Sequence, residues 1–308
     1  MTTQQTPHGG QVVDPIADSV RWTSINYPLK LVIAGKSWVA CDALTYVADL
    51  LHISAVEIRI FVLPSASDGQ TETWQPSLRQ TATQLGLEIL DSKRDIARLE
   101  ADVVISLEYD RLLSKTDLGR ARAFNIHFSN LPKYRGCGTS VWPLRNGETM
   151  AGVTLHEITP GIDDGPIVAQ RHFSIPTFLT AFELYRLYNN HAFDLFKDQF
   201  DTILRGSYKL TEQDHEIATL YMRNDLDFRQ VEIDMFHLHA DQVRDFARSL
   251  MFPPYQLPTY KGKSVYRVDV INTVNGHDHH QIGFEIHAVS RVIVKCAECW
   301  VRLFFEPI

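Results

Sequence analysis

The stretch Leu29-Lys-Leu-Val-Ile-Ala-Gly35 constrains the fold of this chain most. A short apolar run that ends in glycine reads as a strand buried on both faces, and such strands belong to parallel sheets covered by helices. Ser37 stands where it could cap the helix that follows. Further strands are expected at Val56 to Leu63, Leu87 to Leu90, Asp102 to Leu107 and Ala123 to Phe128, with helical patterns over 38–51 and 77–85 between them. Strands alternating with helices imply an α/β fold with a doubly wound parallel sheet. After Thr180 the spacing of Phe182, Leu184, Leu187, Phe193, Leu195, Phe196, Phe200 and Leu204 predicts one long amphipathic helix, stopped by Gly206. Gly35-Lys36-Ser37 lacks the upstream glycine of a phosphate-binding loop, so a nucleotide hydrolase is not indicated.

Beyond Gly206 the pattern changes. Tyr208 to Asp227 is polar enough to be a connection. A helix is expected over about 240–250, then strands at Ser264 to Ile271, Gln281 to Val289, Val292 to Cys296 and Trp300 to Phe305, with Asn275-Gly276 as a hairpin signal. The chain therefore divides into a polar extension (1–28), a catalytic domain (29–206) and a smaller strand-rich C-terminal domain (207–308) expected to serve the acceptor site or dimerisation.

With 308 residues, 44% hydrophobic, the chain can bury a sizeable core. No run approaches 18 apolar residues, so no membrane span is expected, and the start Met1 to Gly10 lacks a secretory pattern. A cytoplasmic location is the expectation. Four cysteines are few for a disulfide scaffold. Cys296-Ala-Glu-Cys299 follows His277-Asp-His-His280, but a zinc site needs a more persuasive set of about four ligands, so no metal is expected.

The chemistry concentrates in Phe124-Asn-Ile-His-Phe-Ser-Asn-Leu-Pro-Lys-Tyr-Arg-Gly136 and in Gly161-Ile-Asp-Asp-Gly165. Asn125 and His127 are two residues apart, so a strand projects both from one face. A neutral amide donor beside an imidazole suits a reaction that creates an oxyanion while moving a proton, as acyl transfer to an amine does. Asp163 could bond the other imidazole nitrogen, fixing the tautomer and stabilising the protonated form. In a doubly wound sheet this pair would lie at the carboxyl ends of the strands, where ligands bind.

Taken together, Asn125, His127, Ser129, Leu131-Pro132, Arg135-Gly136, Asn146-Gly147-Glu148, Gly152-Val153-Thr154 and Asp163 resemble the motif series of the N10-formyltetrahydrofolate-dependent formyltransferases. The wording Pro132-Lys-Tyr-Arg-Gly136 and Ile167-Val-Ala-Gln170 is most similar to the sugar N-formyltransferase branch. The resemblance is clear over about 100–175, and it implies a Rossmann-like catalytic domain. It also implies His127 as general acid/base, Asn125 as holder of the formyl oxyanion and Asp163 as the group that orients His127. N10-formyltetrahydrofolate is the implied co-substrate. Its pterin would lie between the loop of Tyr109, Arg111, Leu112 and Leu113 and the turn of Thr159, Pro160, Gly161, Ile162 and Asp163. Ser129, Asn130, Leu131 and Pro132 would line the same cleft. Cys137 replaces a basic residue found after the Arg-Gly in one sugar-transferring branch.

The implied partner is a nucleotide-linked amino sugar, with a dTDP-amino-dideoxyhexose favoured over UDP-linked sugars, in surface-polysaccharide biosynthesis. The chain is expected to act as a homodimer. Trp142, Tyr221, Phe252 and Tyr255 are candidates to stack on the nucleobase. Alternatives are methionyl-tRNA formyltransferase and formyltetrahydrofolate hydrolase. The net charge of −7, with 11 basic against 14 acidic residues from Ser207 onward, argues against a nucleic-acid partner, which needs basic surface to displace counterions.

Overall fold

The computed structural model of the protein describes residues 28–53, 57–69, 73–274, 280–297 and 299–306. The expected 1–28 extension (but for its last residue), the Asn275-Gly276 turn, His277 to His279 and Val56 lie outside the described residues.

The first body begins β1 (Leu29–Gly35), α1 (Ser37–Ile53), β2 (Ile58–Pro64), α2 (Leu78–Gln84), β3 (Glu88–Ile89), α3 (Asp95–Leu99), β4 (Val103–Leu107), α4 (Lys115–Leu118) and β5 (Arg122–His127). It continues with β6 (Arg135–Gly136), α5 (Trp142–Arg145), β7 (Met150–Glu157), β8 (Ile167–Ser174) and α6 (Ala181–Arg205). Seven strands form one sheet in the order β3-β2-β1-β4-β5-β7-β8. The first five are parallel, as the alternating pattern implies, whereas β7 runs antiparallel to β5 and β8 antiparallel to β7. The sheet is thus a mostly parallel, doubly wound one with an antiparallel edge.

Its two faces carry separate cores. On one, Leu31, Ile33, Ile105, Phe124 and Ile126 pack with Leu44, Leu78, Leu184, Phe196 and Phe200 of α1, α2 and α6. On the other, Val32, Ala34, Val104 and Ala123 meet Ile96 of α3 and Leu118 of α4. Each fully buried side chain of this size contributes roughly 1.5–3 kcal/mol. α6 spans the predicted stretch. Thr180 and Glu183 form a reciprocal capping box at its start, and Gly206, at φ 67°, supplies the left-handed residue that ends it.

Ser37 does not cap α1 as expected. It has φ 64°, and its hydroxyl donates to Glu108 Oε2 at 2.6 Å. The free backbone N–H of Val39 is taken instead by Asn189 Oδ1 of α6, at 3.1 Å. Burial raises the Glu108 carboxyl above its usual range, against the hydrogen bonds from Ser37 and Tyr185.

The segment after Gly206 is no free connection. Tyr208 donates to Glu157 Oε1 at 3.1 Å, Thr211 bridges Ile167, and β9 (Leu220–Tyr221) pairs in parallel with β6. Residues 208–221 therefore form a strap across the first body, and the boundary expected at residue 206 is crossed by backbone and side-chain bonds. The second body follows, with α7 (Ala240–Leu250), β10 (Thr259–Tyr260), β11 (Lys263–Ser264), β12 (Arg267–Ile271), β13 (Glu285–Ala288), β14 (Arg291–Lys295) and β15 (Trp300–Phe304). Its antiparallel sheet, β12-β15-β14-β13, packs Val292, Val294, Val301 and Leu303 against Val243 and Ala247 of α7.

Asn189 is buried in α6, where it accepts from Ser37 and Val39 of α1 and donates to the Tyr185 carbonyl one turn back. Asn189→Ala leaves a buried N–H unpaired. It is expected to destabilise the fold by about 1–3 kcal/mol, read as a lower urea midpoint at unchanged slope.

Candidate active site

The alternation of β5 places Phe124, Ile126 and Phe128 in the larger core and turns Asn125 and His127 to the opposite face. The antiparallel register with β7 then sets His156 directly opposite Asn125 and Thr154 opposite His127. The Gly161–Gly165 turn brings Asp163 to the same point, with its own backbone left-handed at φ 49°. Asn125 and His127 of β5 thus lie against Asp163, 38 residues beyond Asn125, and His156 joins them.

Both oxygens of Asp163 are engaged. Oδ1 accepts from Asn125 Nδ2 at 3.2 Å and lies 3.5 Å from His156 Nε2. Oδ2 accepts the Gly136 N–H at 2.9 Å and lies 3.5 Å from His127 Nδ1. Burial alone would raise the carboxyl. The charges that His127 and His156 carry when protonated, together with the Gly136 N–H, outweigh it and hold Asp163 well below the usual aspartate range.

A backbone carbonyl only accepts, so the tautomers follow from geometry. His127 Nε2–H donates to the Tyr134 carbonyl at 2.8 Å, which leaves Nδ1 facing Asp163. The tautomer is therefore set by Tyr134 and not, as expected, by Asp163, whose 3.5 Å separation is too long for a strong hydrogen bond. His156 Nδ1–H likewise donates to the Glu157 carbonyl at 2.8 Å, so its Nε2 accepts from Asn125 Nδ2 at 3.3 Å. The two N–H bonds of Asn125 are thus directed at Asp163 and His156. The amide cannot be turned round without setting its oxygen against the carboxylate.

The loop after β5 is fixed on three sides. Thr154 Oγ1 donates to the Ser129 carbonyl at 2.8 Å and accepts the Leu131 N–H at 3.2 Å. Gln170 Nε2 donates to the Leu131 carbonyl at 2.8 Å. Tyr134, at φ 61°, donates its N–H to Thr219 Oγ1 of the strap at 2.7 Å and its hydroxyl to Glu148 at 2.8 Å. Gly136 has φ 83°, and a Cβ there would lie 2.2 Å from the Tyr221 carbonyl, so only glycine lets β6 and β9 approach beside Asp163.

The expected donor-binding residues lie in two loops that meet. Tyr109, Leu113 and Ile158 share the smaller core, and Thr159 donates to the Asp164 carboxylate beside Gly161 and Ile162. Leu112 is 66% exposed, and Arg111 and Pro160 are exposed as well. The side chains of Leu113, Ser129 and Leu131 are buried within the protein, so a ligand meets these three through backbone. Asn130 and Pro132 keep part of their surface. Asp110 Oδ1, between Tyr109 and Arg111, is buried with no hydrogen-bond partner. That orphaned acceptor suits a heterocycle rich in N–H donors, such as a pterin.

The four candidate stacking residues fall into two places. Trp142 stacks on Tyr221 at 4.2 Å and Tyr221 on Tyr134 at 5.9 Å, beside the catalytic loop. Phe252 and Tyr255 instead join Trp74, each at 5.5 Å, in another cluster. Cys296 is buried against Met235, and among the described residues no group of three or more His, Cys, Asp or Glu side chains could hold a metal. His156, Tyr134, Thr219 and Gln213 are site residues that spacing alone does not reveal. Finding His156 requires the antiparallel pairing of β7, and the others require the fold of the strap.

A mostly parallel α/β sheet of the Rossmann-like kind thus gathers an amide, two imidazoles and a carboxylate at one place, a set suited to group transfer. The formyl transferase family matches residues 70–196. The methionyl-tRNA formyltransferase of Acidobacterium capsulatum is 29% identical over 204 residues, which cover 62% of this chain and 65%, just under two thirds, of that enzyme. The methionyl-tRNA formyltransferase of Sorangium cellulosum is 28% identical over 77% of this chain and 78% of its own length. Among solved structures, the N-formyltransferase of Helicobacter canadensis in complex with folinic acid and dTDP-3-aminofucose is similar at a TM-score of 0.81. It is 27% identical, over 90% of this chain and 99% of that one. A sugar 3N-formyl transferase solved with dTDP and 5-N-formyl-THF gives a TM-score of 0.78 at 27% identity, over 90% and 98%. Residues 70–196 thus carry the likeness to the formyl transferase family, and the likeness to these enzymes extends beyond them.

Because its folded-state pKa is depressed, Asp163 contributes stability that is present above the unfolded aspartate value of about 3.9 and is lost as pH falls through the folded value. Asp163→Asn is therefore expected to be less stable than wild type at pH 7, with the gap narrowing once pH falls below about 4. Denaturant midpoints measured across that range check the sign.

Proposed function

We propose that this protein transfers the formyl group of N10-formyltetrahydrofolate to the amine of a nucleotide-linked amino sugar. The observation that carries the reading is the reach of the likeness to two sugar N-formyltransferases, which runs through the second body and takes in 98–99% of their chains. One of those was solved with dTDP-3-aminofucose and the other with dTDP, which supports a dTDP-linked acceptor. The methionyl-tRNA enzymes support the formyl chemistry. Their acceptor asks for basic surface, whereas this chain carries a net charge of −7.

When bound, N10-formyltetrahydrofolate supplies the formyl carbon that the acceptor amine attacks, and its N10 is the leaving group. The orphaned Asp110 Oδ1 and the backbone of the two loops near Tyr109 and Ile162 would hold the pterin. Asn125 donates an N–H to the formyl oxygen as charge gathers there, sharing a bond now given to Asp163 or His156. His127 Nδ1 takes the proton that the amine nitrogen loses and returns it to the departing nitrogen, while Nε2 stays bonded to the Tyr134 carbonyl. Asp163 stabilises the imidazolium between those two transfers, so no net proton is lost from the site. The product would be an N-formylated sugar nucleotide of the kind consumed by glycosyl transfer into surface polysaccharide, and we assign the working enzyme to the cytoplasm as a homodimer.

His127→Ala and Asp163→Ala are expected to lower turnover by about 10²- to 10⁴-fold in folded protein, and Asn125→Ala by about 10²- to 10³-fold. A folded His127→Ala enzyme with near-wild-type turnover removes His127 from the mechanism.

The acceptor must react as the free amine, and its ammonium titrates somewhat below the lysine reference of about 10.4. Turnover is therefore expected to rise with pH from the acid side. Release of tetrahydrofolate, assayed against a panel of dTDP- and UDP-linked amino sugars, methionyl-tRNA and water alone, tests the acceptor. Efficient transfer to methionyl-tRNA with none to the sugar panel overturns the assignment, and acceptor-independent release turns it into a hydrolase.

A further inference from the structure

We infer that Gln213, in the strap beyond the catalytic body, is a positioning residue for the Asn125–His127–Asp163 site, acting through the backbone of the Asp163 turn. The inference rests on the reading of that trio as the catalytic group. It does not depend on which acceptor is used.

Gln213 is 4% exposed, and its amide is used in full. Nε2 donates one N–H to the Asp163 carbonyl at 2.9 Å and the other to the Gly165 carbonyl at 2.7 Å. Oε1 accepts from Arg135 Nε at 3.0 Å and Nη2 at 2.7 Å. Arg135 is itself 9% exposed, and its Nη2 also lies 3.3 Å from His215 Nδ1 of the same strap. Arg135 is followed directly by Gly136, whose N–H holds Asp163 Oδ2. One primary amide thus closes a ring from the Asp163 backbone, through Arg135 and Gly136, back to the Asp163 carboxylate.

The ring has a physical purpose. Asp163 is left-handed at φ 49°, a conformation that a non-glycine residue keeps only when its surroundings enforce it. Its side chain must at once meet an amide, an N–H and two imidazoles, so a small rotation of the turn breaks several contacts together. Two hydrogen bonds from Gln213 to the carbonyls of Asp163 and Gly165 pin the turn by its backbone. Only a primary amide performs this task, because two carbonyls need a double donor while Arg135 needs an acceptor. Glutamate at the same place would keep Arg135 and lose both donors. Methionine would fill the volume and lose all four bonds.

The experiment uses the full chain with Gln213→Met and Gln213→Glu, and Glu212→Gln as an exposed neighbour outside the site. The first readout is hydrogen exchange of the Gly136 amide in unliganded protein, since that N–H is protected only while Asp163 Oδ2 sits on it. It needs neither donor nor acceptor, so it stands or falls apart from the functional assignment. The second is the split between kcat and KM for the formyl donor. Expected are faster Gly136 exchange by about tenfold or more at nearly unchanged global stability, and kcat lower by about 10- to 100-fold with donor KM within about threefold. Gln213→Glu is expected to match Gln213→Met in kcat, and Glu212→Gln to match wild type in both readouts. Wild-type Gly136 protection and kcat in either folded Gln213 variant would overturn the inference. So would a loss of kcat that comes only with global unfolding in both.

Discussion

The Asp163 carboxylate is the group on which the rest of the site depends. It is mostly buried, which for an isolated charge costs several kcal/mol. It stays ionised because a backbone N–H, an amide N–H and two imidazoles surround it. Those four partners come from three parts of the chain: β5 for Asn125 and His127, the end of β7 for His156, and the loop that carries β6 for Gly136. A buried carboxylate with partners from three segments fixes their relative positions, since moving any one leaves charge uncompensated. Its depressed pKa is the thermodynamic expression of that arrangement. The charge that would steady an imidazolium in the proposed reaction also holds the loops together.

The antiparallel edge of the sheet contributes as much as its parallel centre. β5, paired in parallel with β4, carries Asn125 and His127 to the carboxyl end of the sheet, as the doubly wound pattern requires. Only an antiparallel neighbour sets His156 opposite Asn125 and Thr154 opposite His127. Thr154 then clamps the loop of Ser129 and Leu131 from below, so the loop that ends in Tyr134 approaches His127 in one way. Had β7 run parallel, a crossover would have been needed and its residues would have met β5 in another register.

How far the sequence reveals this arrangement varies with the range of the interaction. The long helix from Thr180 to Gly206 is legible because its cap, its apolar stripe and its stop are all local. Asn125 and His127 on one face follow from the period of two in a strand. Asp163 was found through its turn and the resemblance of the whole motif series. What spacing could not supply were partners made by tertiary contact. The α1 cap illustrates this: Ser37 has the right type and place, yet its hydroxyl is spent on Glu108, and the cap comes from Asn189, 150 residues away. The tautomer of His127 illustrates it again, because a backbone carbonyl leaves no mark in the sequence. Composition hides the strap for a different reason. Polar residues such as Gln213 and Thr219 resemble a connection in composition, yet they are polar because they satisfy buried backbone groups.

That strap also joins the two bodies mechanically. Tyr134, whose carbonyl holds His127, stacks on Tyr221 of the strap, and Tyr221 stacks on Trp142. The Arg145 guanidinium then lies 5.5 Å from the Trp142 ring and 5.0 Å from the ring of Phe246 in α7. A continuous row of π faces and one cation therefore runs from the catalytic loop into the second body. Such contacts are individually worth only about 0.5–1.5 kcal/mol, but they favour particular face-to-face geometries. A shift of α7 relative to the sheet would have to break the row or carry Tyr134 with it. The second body is thus coupled to the imidazole at the centre of the site through an aromatic path, while Gln213 couples the same strap to the carboxylate on its other side.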